Sequence, residues 1–395
     1  MSSVATDKLS VPLRCPVDPV IGGAAVTLLL IGLVMVASAS SEISARMYGD
    51  PFHIFIRHAI YMSMGVCAAA IVLSIPVQVW RKLDWVCLLA AFMLLVAVLI
   101  PGIGKQVNGS TRWISLGLFS LQGSEFVKLF TVVFVAGYLS RRREEVQTTL
   151  WGFLKPLAVV ALLAIFLLNQ PDFGSVIVIG ATVMGVLFLA GVPWRHFLPM
   201  IVLALVAVAL LAVWQPYRLQ RLVAFTDPWQ HQYGGGYQLT QALIAFGRGE
   251  WFGLGLGNSI QKLFFLPEAH TDFLFSIIAE ELGIAGALVV IATFAVLIIR
   301  GLLVGRKAEL AGREFHAWLA YGISLLLGIQ AAINVGVNIG LLPTKGLTLP
   351  LVSYGGNSLL ISCILVAMLL RVEYELREMP VKQTTTRQPR GARRG

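Results

Sequence analysis

Long runs of apolar residues, separated by shorter polar segments, repeat along the chain up to residue 370. A run of about 20 such residues can cross a hydrocarbon layer about 30 Å thick as an α-helix. The runs are continuously apolar and do not alternate with polar positions, which favours helices over the strands of a barrel. The pattern predicts ten membrane-spanning helices, at 20–41, 59–76, 85–100, 126–139, 157–168, 175–190, 196–214, 273–299, 318–342 and 349–370.

Composition supports this prediction and excludes a soluble domain. Of the 395 residues, 57% are hydrophobic and 13% are charged, with a mean hydropathy of +0.81, whereas soluble domains contain about 25% charged residues. We therefore expect an all-α polytopic membrane protein. The first run is longer than the core of a secretory signal peptide, so we expect it to stay as a helix. The four cysteines have neither metal nor redox spacing.

Positive charge predicts the orientation. With the N-terminus in the cytoplasm, 20 of the 30 Lys and Arg residues fall in cytoplasmic segments, as the positive-inside rule requires. Both termini are then cytoplasmic, and the long polar stretch at 215–271, between the seventh and eighth helices, is extracytoplasmic. We divide the chain into a cytoplasmic segment (1–19), a ten-helix domain (20–370) and a basic, disordered tail (371–395). The tail is expected to face the inner leaflet and not nucleic acid.

Some basic residues depart from this distribution because they fall at the outer side. These are Arg112, Arg218, Arg221, Arg248, Lys262 and Lys345. Topology gives no reason for them there. They either bind an anionic substrate or pair with loop acids such as Asp227, Glu250 and Glu268, and the sequence leaves both interpretations open.

Four charged residues lie at the start of predicted helices or inside them: Glu125 and Lys128 at the start of the fourth, and Glu280 and Glu281 in the eighth. An ionised side chain at mid-membrane costs about 2.5–3.5 kcal/mol, so each must be paired or solvated. They form either a structural network, in which Lys128 neutralises a carboxylate, or a polar cavity that admits a charged ligand. Asn334 and Asn338, four residues apart on the ninth helix, either line the same interior or hydrogen-bond between helices.

The segment LPEAHTDF, at 266–273, carries the strongest candidate for chemistry. The sequence contains no nucleotide-binding loop, zinc-protease motif or acidic pair of the kind that holds a nucleotide sugar's metal. Asp272 falls at the first turn of the eighth helix, four residues after Glu268. A carboxylate there either caps the helix, whose dipole favours an anion, or takes a proton from a hydroxyl group.

A second segment, GLLPTKGLTLPLVSYGGNS at 340–358, forms the outer turn between the ninth and tenth helices. Its prolines, glycines and the pair Ser353–Tyr354 make it more elaborate than a plain turn. If the eighth and ninth helices pack at their outer ends, as sequential antiparallel elements often do, Lys345 faces Asp272.

Together these segments resemble the SEDS family of membrane glycosyltransferases, named for shape, elongation, division and sporulation. The similarity extends from the first helix to residue 370. It includes NGSTRW at 108–113, QPDFGS at 170–175, PEAHTDF at 267–273 and LPLVSYGG at 349–356. The lysine in LPTKGLTLPLVSYGG is more similar to the division branch than to the elongation branch. Asn357 departs from the family pattern, in which two serines usually follow SYGG, and we interpret it as a mild substitution beside the site.

The resemblance implies that the chain polymerises lipid II, a disaccharide-pentapeptide on undecaprenyl diphosphate, into glycan strands at the outer face of the bacterial inner membrane. It also implies that Asp272 is the catalytic base, which deprotonates the 4-hydroxyl of the acceptor N-acetylglucosamine for inverting attack on the lipid-linked donor. Cationic groups would stabilise the diphosphate charge. The candidate substrate-binding residues are Lys128, Lys345, Glu125, Glu268, Arg112, Arg218, Arg221 and Ser353.

The resemblance further implies partners and a location. A cognate class B penicillin-binding transpeptidase and other division proteins are expected at the septum, because no part of this chain resembles a crosslinking domain. No motif specifies a cofactor, although a divalent cation such as Mg²⁺ or Mn²⁺ is compatible with the lipid diphosphate. Two other functions are left open. A lipid II flippase would translocate lipid without chain growth, and a non-catalytic division scaffold would tolerate Asp272→Asn.

Overall fold

The computed structural model describes residues 17–107, 110–115, 117, 120–214 and 222–378. Within these ranges the chain is mostly helical, which confirms the expected fold class. The helices are α1 (Pro19–Tyr48), α2 (His53–Ser74), α3 (Val77–Lys82), α4 (Asp84–Leu99), α5 (Gly123–Thr148), α6 (Leu150–Asn169), α7 (Phe173–Leu189), α8 (Trp194–Trp214), α9 (Tyr237–Gly249), α10 (Leu274–Leu310), α11 (Glu314–Asn338) and α12 (Gly356–Arg377). A π-helical turn, Gln261–Phe265, lies between α9 and α10.

Six of the described helices are long and apolar enough to cross a membrane: α1, α2, α5, α6, α10 and α11. Shorter apolar helices are α4, α7 and the first part of α8, Trp194–Ala207. Each predicted helix overlaps one of the observed helices, but the tenth begins at Gly356 and not at 349. Its expected start is a turn, in which the Ser353 hydroxyl accepts from the Leu349 N–H (3.1 Å) and Leu351 has a φ of 63°.

A small antiparallel sheet precedes α5, where the sequence pattern predicted no strands. Its strands are β1 (Gly104–Val107), β2 (Ser110–Ser115) and β3 (Ser120–Gln122), in the order β1-β2-β3. Trp113 in β2 lies opposite Lys105 on one side and Gln122 on the other.

The core lies where α10, α11, α5 and α12 pack together, with α2 along α12 and α1 along α10. A close approach between α1 and the turn before α12 requires glycine. A Cβ atom at Gly32 would lie 2.5 Å from the carbonyl oxygen of Val352. The turn that contains Ser353 and Tyr354 is therefore fixed against the helical bundle.

Helix α10 is interrupted at Gly283, which has φ 72° and ψ −175°; the sequence predicted one unbroken helix there. The loop after α9 enters the break, where the N–H groups of Leu254 and Gly255 donate to the carbonyls of Glu280 and Glu281 (3.0 Å each). Irregular backbone at membrane depth is tolerated where the protein itself satisfies its polar groups. The large loop therefore contains a segment that pairs with the broken helix.

Candidate functional site

Asp272 lies in the turn that leads into α10, and it is half-buried. Its backbone carbonyl accepts hydrogen bonds from the side-chain amides of Asn334 (2.9 Å) and Asn338 (3.0 Å) in α11. The Asn338 amide oxygen accepts from both the N–H (3.1 Å) and the hydroxyl (2.7 Å) of Ser276. One face of α11 therefore fixes the turn that carries the candidate base.

The same face of α11 holds the segment between α11 and α12. The Asn334 amide also donates to the carbonyl of Leu347 (2.6 Å), and the Gln330 amide donates to the carbonyl of Thr348 (3.1 Å). Gln330, Asn334 and Asn338 recur every four residues, so they form one polar stripe along the helix. This stripe joins the two segments that sequence analysis singled out separately. Gln330 was not predicted, although its spacing from the two asparagines was a readable signal.

Lys345 and Gly346 lie on the side of this segment near Asp272. A Cβ atom at Gly346 would lie 3.0 Å from Oδ2 of Asp272. The Lys345 ammonium lies 4.0 Å from the centre of the Phe173 ring, a cation–π contact. The expected proximity of this segment to Asp272 is therefore present at Gly346.

Lys128 and Glu125 form a buried ion pair in the first turns of α5. The Lys128 ammonium lies 2.8 Å from each carboxylate oxygen of Glu125, and it also donates to Oε1 of Gln330 (2.8 Å). Both residues are almost fully buried. The structure thus shows the pairing expected of a structural network, and it connects that pair through Gln330 to the segment beside Asp272.

The other candidate residues make local contacts. Arg112 in β2 donates to the backbone carbonyls of Gln170 (2.9 Å) and Pro171, so it ties the sheet to the start of α7. The Thr271 hydroxyl donates to the Glu268 carboxylate (2.7 Å). Ser353 is buried within its own turn. Arg218 and Arg221 lie outside the described residues.

Glu280 and Glu281 are fully buried and paired with basic residues of the large loop. Arg248 lies 3.3 Å from Glu280, and Lys262 lies 3.1 Å from Glu281. The Ser38 hydroxyl of α1 donates to Glu281 (2.7 Å). Arg248 and Lys262, which the sequence offered as substrate ligands or partners of loop acids, therefore neutralise the two buried glutamates.

A cavity of about 550 Å³ lies beside this network, between α1 and the loop before the π-helical turn. Its wall combines apolar side chains with Ser38, Glu42, Asn258 and Lys262. The Lys262 ammonium donates to Ser38 (3.0 Å), the Gly257 carbonyl (2.7 Å) and Glu281 (3.1 Å). All three of its hydrogens are thereby used. Asp272 is absent from the described residues that line this cavity, so the cavity is separate from the candidate base.

Two histidines lie beside Tyr354, and one of them, His270, is two residues from Asp272. The His270 ring centre lies 5.5 Å from that of Tyr354, and the His58 ring centre lies 6.0 Å from it. Burial lowers the pKa of His270, while the Glu268 carboxylate opposes this shift more weakly. Burial also raises the pKa of the Tyr354 hydroxyl. Burial therefore favours the neutral forms of His270 and Tyr354.

No group of three or more His, Cys, Asp or Glu residues placed to hold a metal ion occurs in the described part of the chain. Glu268 is engaged with Thr271 in its own turn. A divalent cation held together with the phosphates of a substrate therefore stays a prediction.

The arrangement defines a class of protein: a polytopic membrane protein with a positioned carboxylate at the end of a helical bundle. The model of the FtsW/RodA/SpoVE family, described as cell cycle protein, matches residues 21–378. The chain belongs to this family. The similarity to the SEDS family expected from the motifs is thereby confirmed.

Sequence relatives and solved structures agree with this assignment. Two proteins named "Probable peptidoglycan glycosyltransferase FtsW" are each 54% identical to this chain. The protein from Hahella chejuensis aligns over 94% of each chain, and the one from Coxiella burnetii over 88% of this chain and 94% of its own. The expected similarity to the division branch, to which FtsW belongs, is thus confirmed.

Among solved structures, RodA from Thermus thermophilus matches with a TM-score of 0.69 and 26% identity, over 93% of this chain and 100% of RodA. A chain from a peptidoglycan synthase complex, described as coordinating polymerization and crosslinking, matches with a TM-score of 0.75 and 26% identity. That match covers 92% of this chain and 99% of the other.

Proposed function

We propose that this chain is a peptidoglycan glycosyltransferase that polymerises lipid II into glycan strands at the outer face of the inner membrane during cell division. The observation that carries the proposal is the position of Asp272, whose backbone is fixed by Asn334 and Asn338. A base must be held in a set position to accept a proton in the transition state. The 54% identity to proteins named FtsW glycosyltransferases supports the choice of reaction.

The proposed topology has ten membrane-spanning helices and cytoplasmic termini. Residues 1–19 and 371–395 are then cytoplasmic, and 215–271 is the large extracytoplasmic loop of the domain at 20–370. This orientation places the turn containing Asp272 at the outer surface, where the sugars of a lipid-linked substrate lie while the isoprenoid remains in the bilayer.

In the proposed reaction, the Asp272 carboxylate takes the proton of the acceptor's 4-hydroxyl group as its oxygen attacks the anomeric carbon of the donor. The new glycosidic C–O bond forms as the bond from that carbon to the diphosphate oxygen breaks. Undecaprenyl diphosphate leaves with the electron pair, and the configuration inverts. Because diphosphate is already a good leaving group, one base and a source of positive charge are sufficient.

We propose Lys345 as the source of positive charge beside Asp272, because it precedes Gly346, which closely approaches that carboxylate. Lys128 is already bound by Glu125 and Gln330, so we propose that this group supports the substrate site through the segment held by Gln330. Glu268, Arg112, Arg218, Arg221 and Ser353 stay candidate substrate residues. Participation of a divalent cation also stays a prediction, and no step above depends on it.

We further propose a class B penicillin-binding transpeptidase as the partner at the division septum. The fold is similar to a chain of a peptidoglycan synthase complex that coordinates polymerization and crosslinking. Glycan strands need crosslinking, and nothing in this sequence resembles a transpeptidase domain.

The test is glycan-strand synthesis from purified lipid II by the full chain, reconstituted with its transpeptidase in liposomes. We expect polymer from the wild type but not from Asp272→Asn. The matched control is Asp227→Asn, which alters another carboxylate of the large loop and should still form polymer. Lys345→Ala should lower turnover more than it lowers expression. Lipid II translocation without polymer would contradict the proposal and favour the flippase. Polymer formation by the partner alone would favour the scaffold.

A further inference from the structure

The N-terminus of α12 has three backbone N–H groups without an acceptor in the parts of the chain that the structure describes: those of Gly356, Asn357 and Ser358. The helix also has no side-chain cap and no acidic residue in its first turn. The Asn357 amide donates instead to the carbonyl of Ser120 in β3 (2.7 Å), and the Ser358 hydroxyl accepts from Thr348 (2.8 Å). The positive end of the helix dipole is therefore uncompensated by local side chains.

His58 provides a second, independent observation at the same place. Its ring is 1% exposed, and neither ring nitrogen has a hydrogen-bond partner among the described residues. It faces Tyr354, which immediately precedes the N-cap residue Gly355. Tyr61, one turn further along α2, lies so close to Gly356 that a Cβ atom there would be 2.7 Å from its ring. The shared face of α2 therefore places His58 beside the start of α12.

His270 also lies beside Tyr354, with ring centres 5.5 Å apart, and its Nδ1 atom is buried without a partner within the described ranges. It is two residues from Asp272 in the same turn. The unsatisfied groups thus extend from the start of α12 towards the candidate base.

The backbone N–H groups and the two imidazoles can all donate hydrogen bonds. A buried polar atom without a partner costs free energy, so each such atom in a native protein calls for an explanation such as a bound ligand. Backbone N–H groups at a helix N-terminus are donors, and a neutral imidazole supplies one N–H as well. Several donors near the positive end of a helix suit an oxyanion with several acceptor oxygens, and phosphate groups bind at such positions.

We propose that the N-terminus of α12, together with His58 and His270, binds the phosphate of an amphiphilic phosphate ester at the membrane surface. Two sources share this chemistry: the diphosphate of a lipid-linked sugar and the headgroup phosphate of an outer-leaflet phospholipid. The first source rests on the proposed function. In that case the site holds the leaving group beside Tyr354, while Asp272 acts on the acceptor.

The test measures direct binding of two probes to the purified full chain: undecaprenyl diphosphate in detergent and phosphatidylglycerol in nanodiscs. Asn357→Asp places a carboxylate among the free N–H groups, and Asn357→Ala is its matched control, because both variants lose the bond to Ser120. We expect the aspartate variant to bind the preferred probe about tenfold more weakly than the alanine variant, a difference of about 1.4 kcal/mol. His58→Phe should also weaken binding, since it keeps the ring but removes both nitrogens.

Thermal unfolding of the same variants separates binding from folding. A carboxylate in the first turn favours the helix, and phenylalanine removes two unsatisfied buried atoms, so neither variant should unfold at a lower temperature than its reference. The proposal therefore predicts weaker probe binding without a lower unfolding temperature. A purely structural role predicts that binding and unfolding temperature both fall. Equal affinities for Asn357→Asp and Asn357→Ala, or failure of both probes to bind the wild type, would overturn the proposal.

The preferred probe identifies the source of the phosphate, and either preference supports the site. Asp272→Asn should retain binding, because the donors are on other residues. If wild-type protein binds undecaprenyl diphosphate but makes no polymer, the proposed function fails while the phosphate site stands.

Discussion

The side-chain amide of Asn338 donates a hydrogen bond of 3.0 Å to the backbone carbonyl of Asp272. Its oxygen accepts from the N–H and hydroxyl of Ser276, so one side chain binds both the turn before α10 and the first turn of that helix. Asn338 is fully buried. The position of the candidate base is therefore set through its backbone by the neighbouring helix.

Asn338→Ala should impair both stability and turnover. It leaves the Ser276 N–H without this acceptor and removes a donor from the Asp272 carbonyl, and an unsatisfied buried group costs about 1–3 kcal/mol. We expect kcat to fall by more than KM rises, because the base shifts relative to bound acceptor. Steady-state polymerisation and thermal unfolding in detergent check this. The matched control is Asn169→Ala, an exposed asparagine that bonds to its own helix, and equal effects of the two substitutions would contradict the positioning role.

Glu125 and Lys128 should behave as a coupled pair in a double-mutant cycle. Removing one partner of a buried ion pair leaves an uncompensated charge, at a cost of about 3–5 kcal/mol. Glu125→Gln and Lys128→Met should each destabilise strongly, whereas the double variant should recover part of that loss. Unfolding measurements on all four proteins give the coupling energy. Additive losses would show that the pair does not act as a structural unit.

Gly283→Ala should prevent α10 from pairing with the large loop. Alanine at a φ of 72° is strained, and its Cβ atom would lie 2.5 Å from the backbone of Gly253 and Trp251. We expect a loss of at least about 2 kcal/mol in the free energy of unfolding. Gly247→Ala, in α9 where nothing lies within 4 Å of the added Cβ, should gain about 0.5–1 kcal/mol. Similar expression and unfolding of both variants would show that the break does not require glycine.

Protonation of His270 should lower the stability of the folded protein in mild acid. Burial lowers its pKa below the ordinary value of 6.5, so the folded state binds fewer protons than the unfolded state. Stability from this group is then fully present above about pH 6.5 and is lost as the pH falls below that value. Unfolding temperatures at pH 7.5 and 5.5, in phosphate-free buffer, should fall further for wild type than for His270→Gln. An equal fall in both proteins would contradict this assignment.

Apolar run length was sufficient to predict the ten longest described helices, because continuous apolarity at membrane length permits few other structures. It did not predict α3 or α9, which are too short or too polar to form such a run. It did not predict the break at Gly283, since a glycine in an apolar helix is common and the broken backbone is satisfied by a distant loop. Nor did it predict the sheet at 104–122, whose short strands have no distinct apolar pattern.

For the site, the sequence was sufficient to predict that Asp272 lies next to the start of α10. It was not sufficient to predict which residues the other charged side chains pair with. Arg248 and Lys262 pair with Glu280 and Glu281 across 32 and 19 positions of sequence. Such pairings depend on the path of the large loop, which composition does not encode. The pair formed by Lys128 and Glu125 was accessible, because residues three apart share a helix face.

Glycan-strand synthesis by Asp272→Asn, reconstituted with the transpeptidase and compared with wild type, tests the central claim most directly. Asparagine keeps the size of the side chain and can still cap a helix, but it cannot act as the base. We predict an unfolding temperature close to that of wild type and a polymerisation rate lower by a factor of at least about 100. Polymer formed at the wild-type rate by the folded variant would contradict the assignment of Asp272 as the catalytic base.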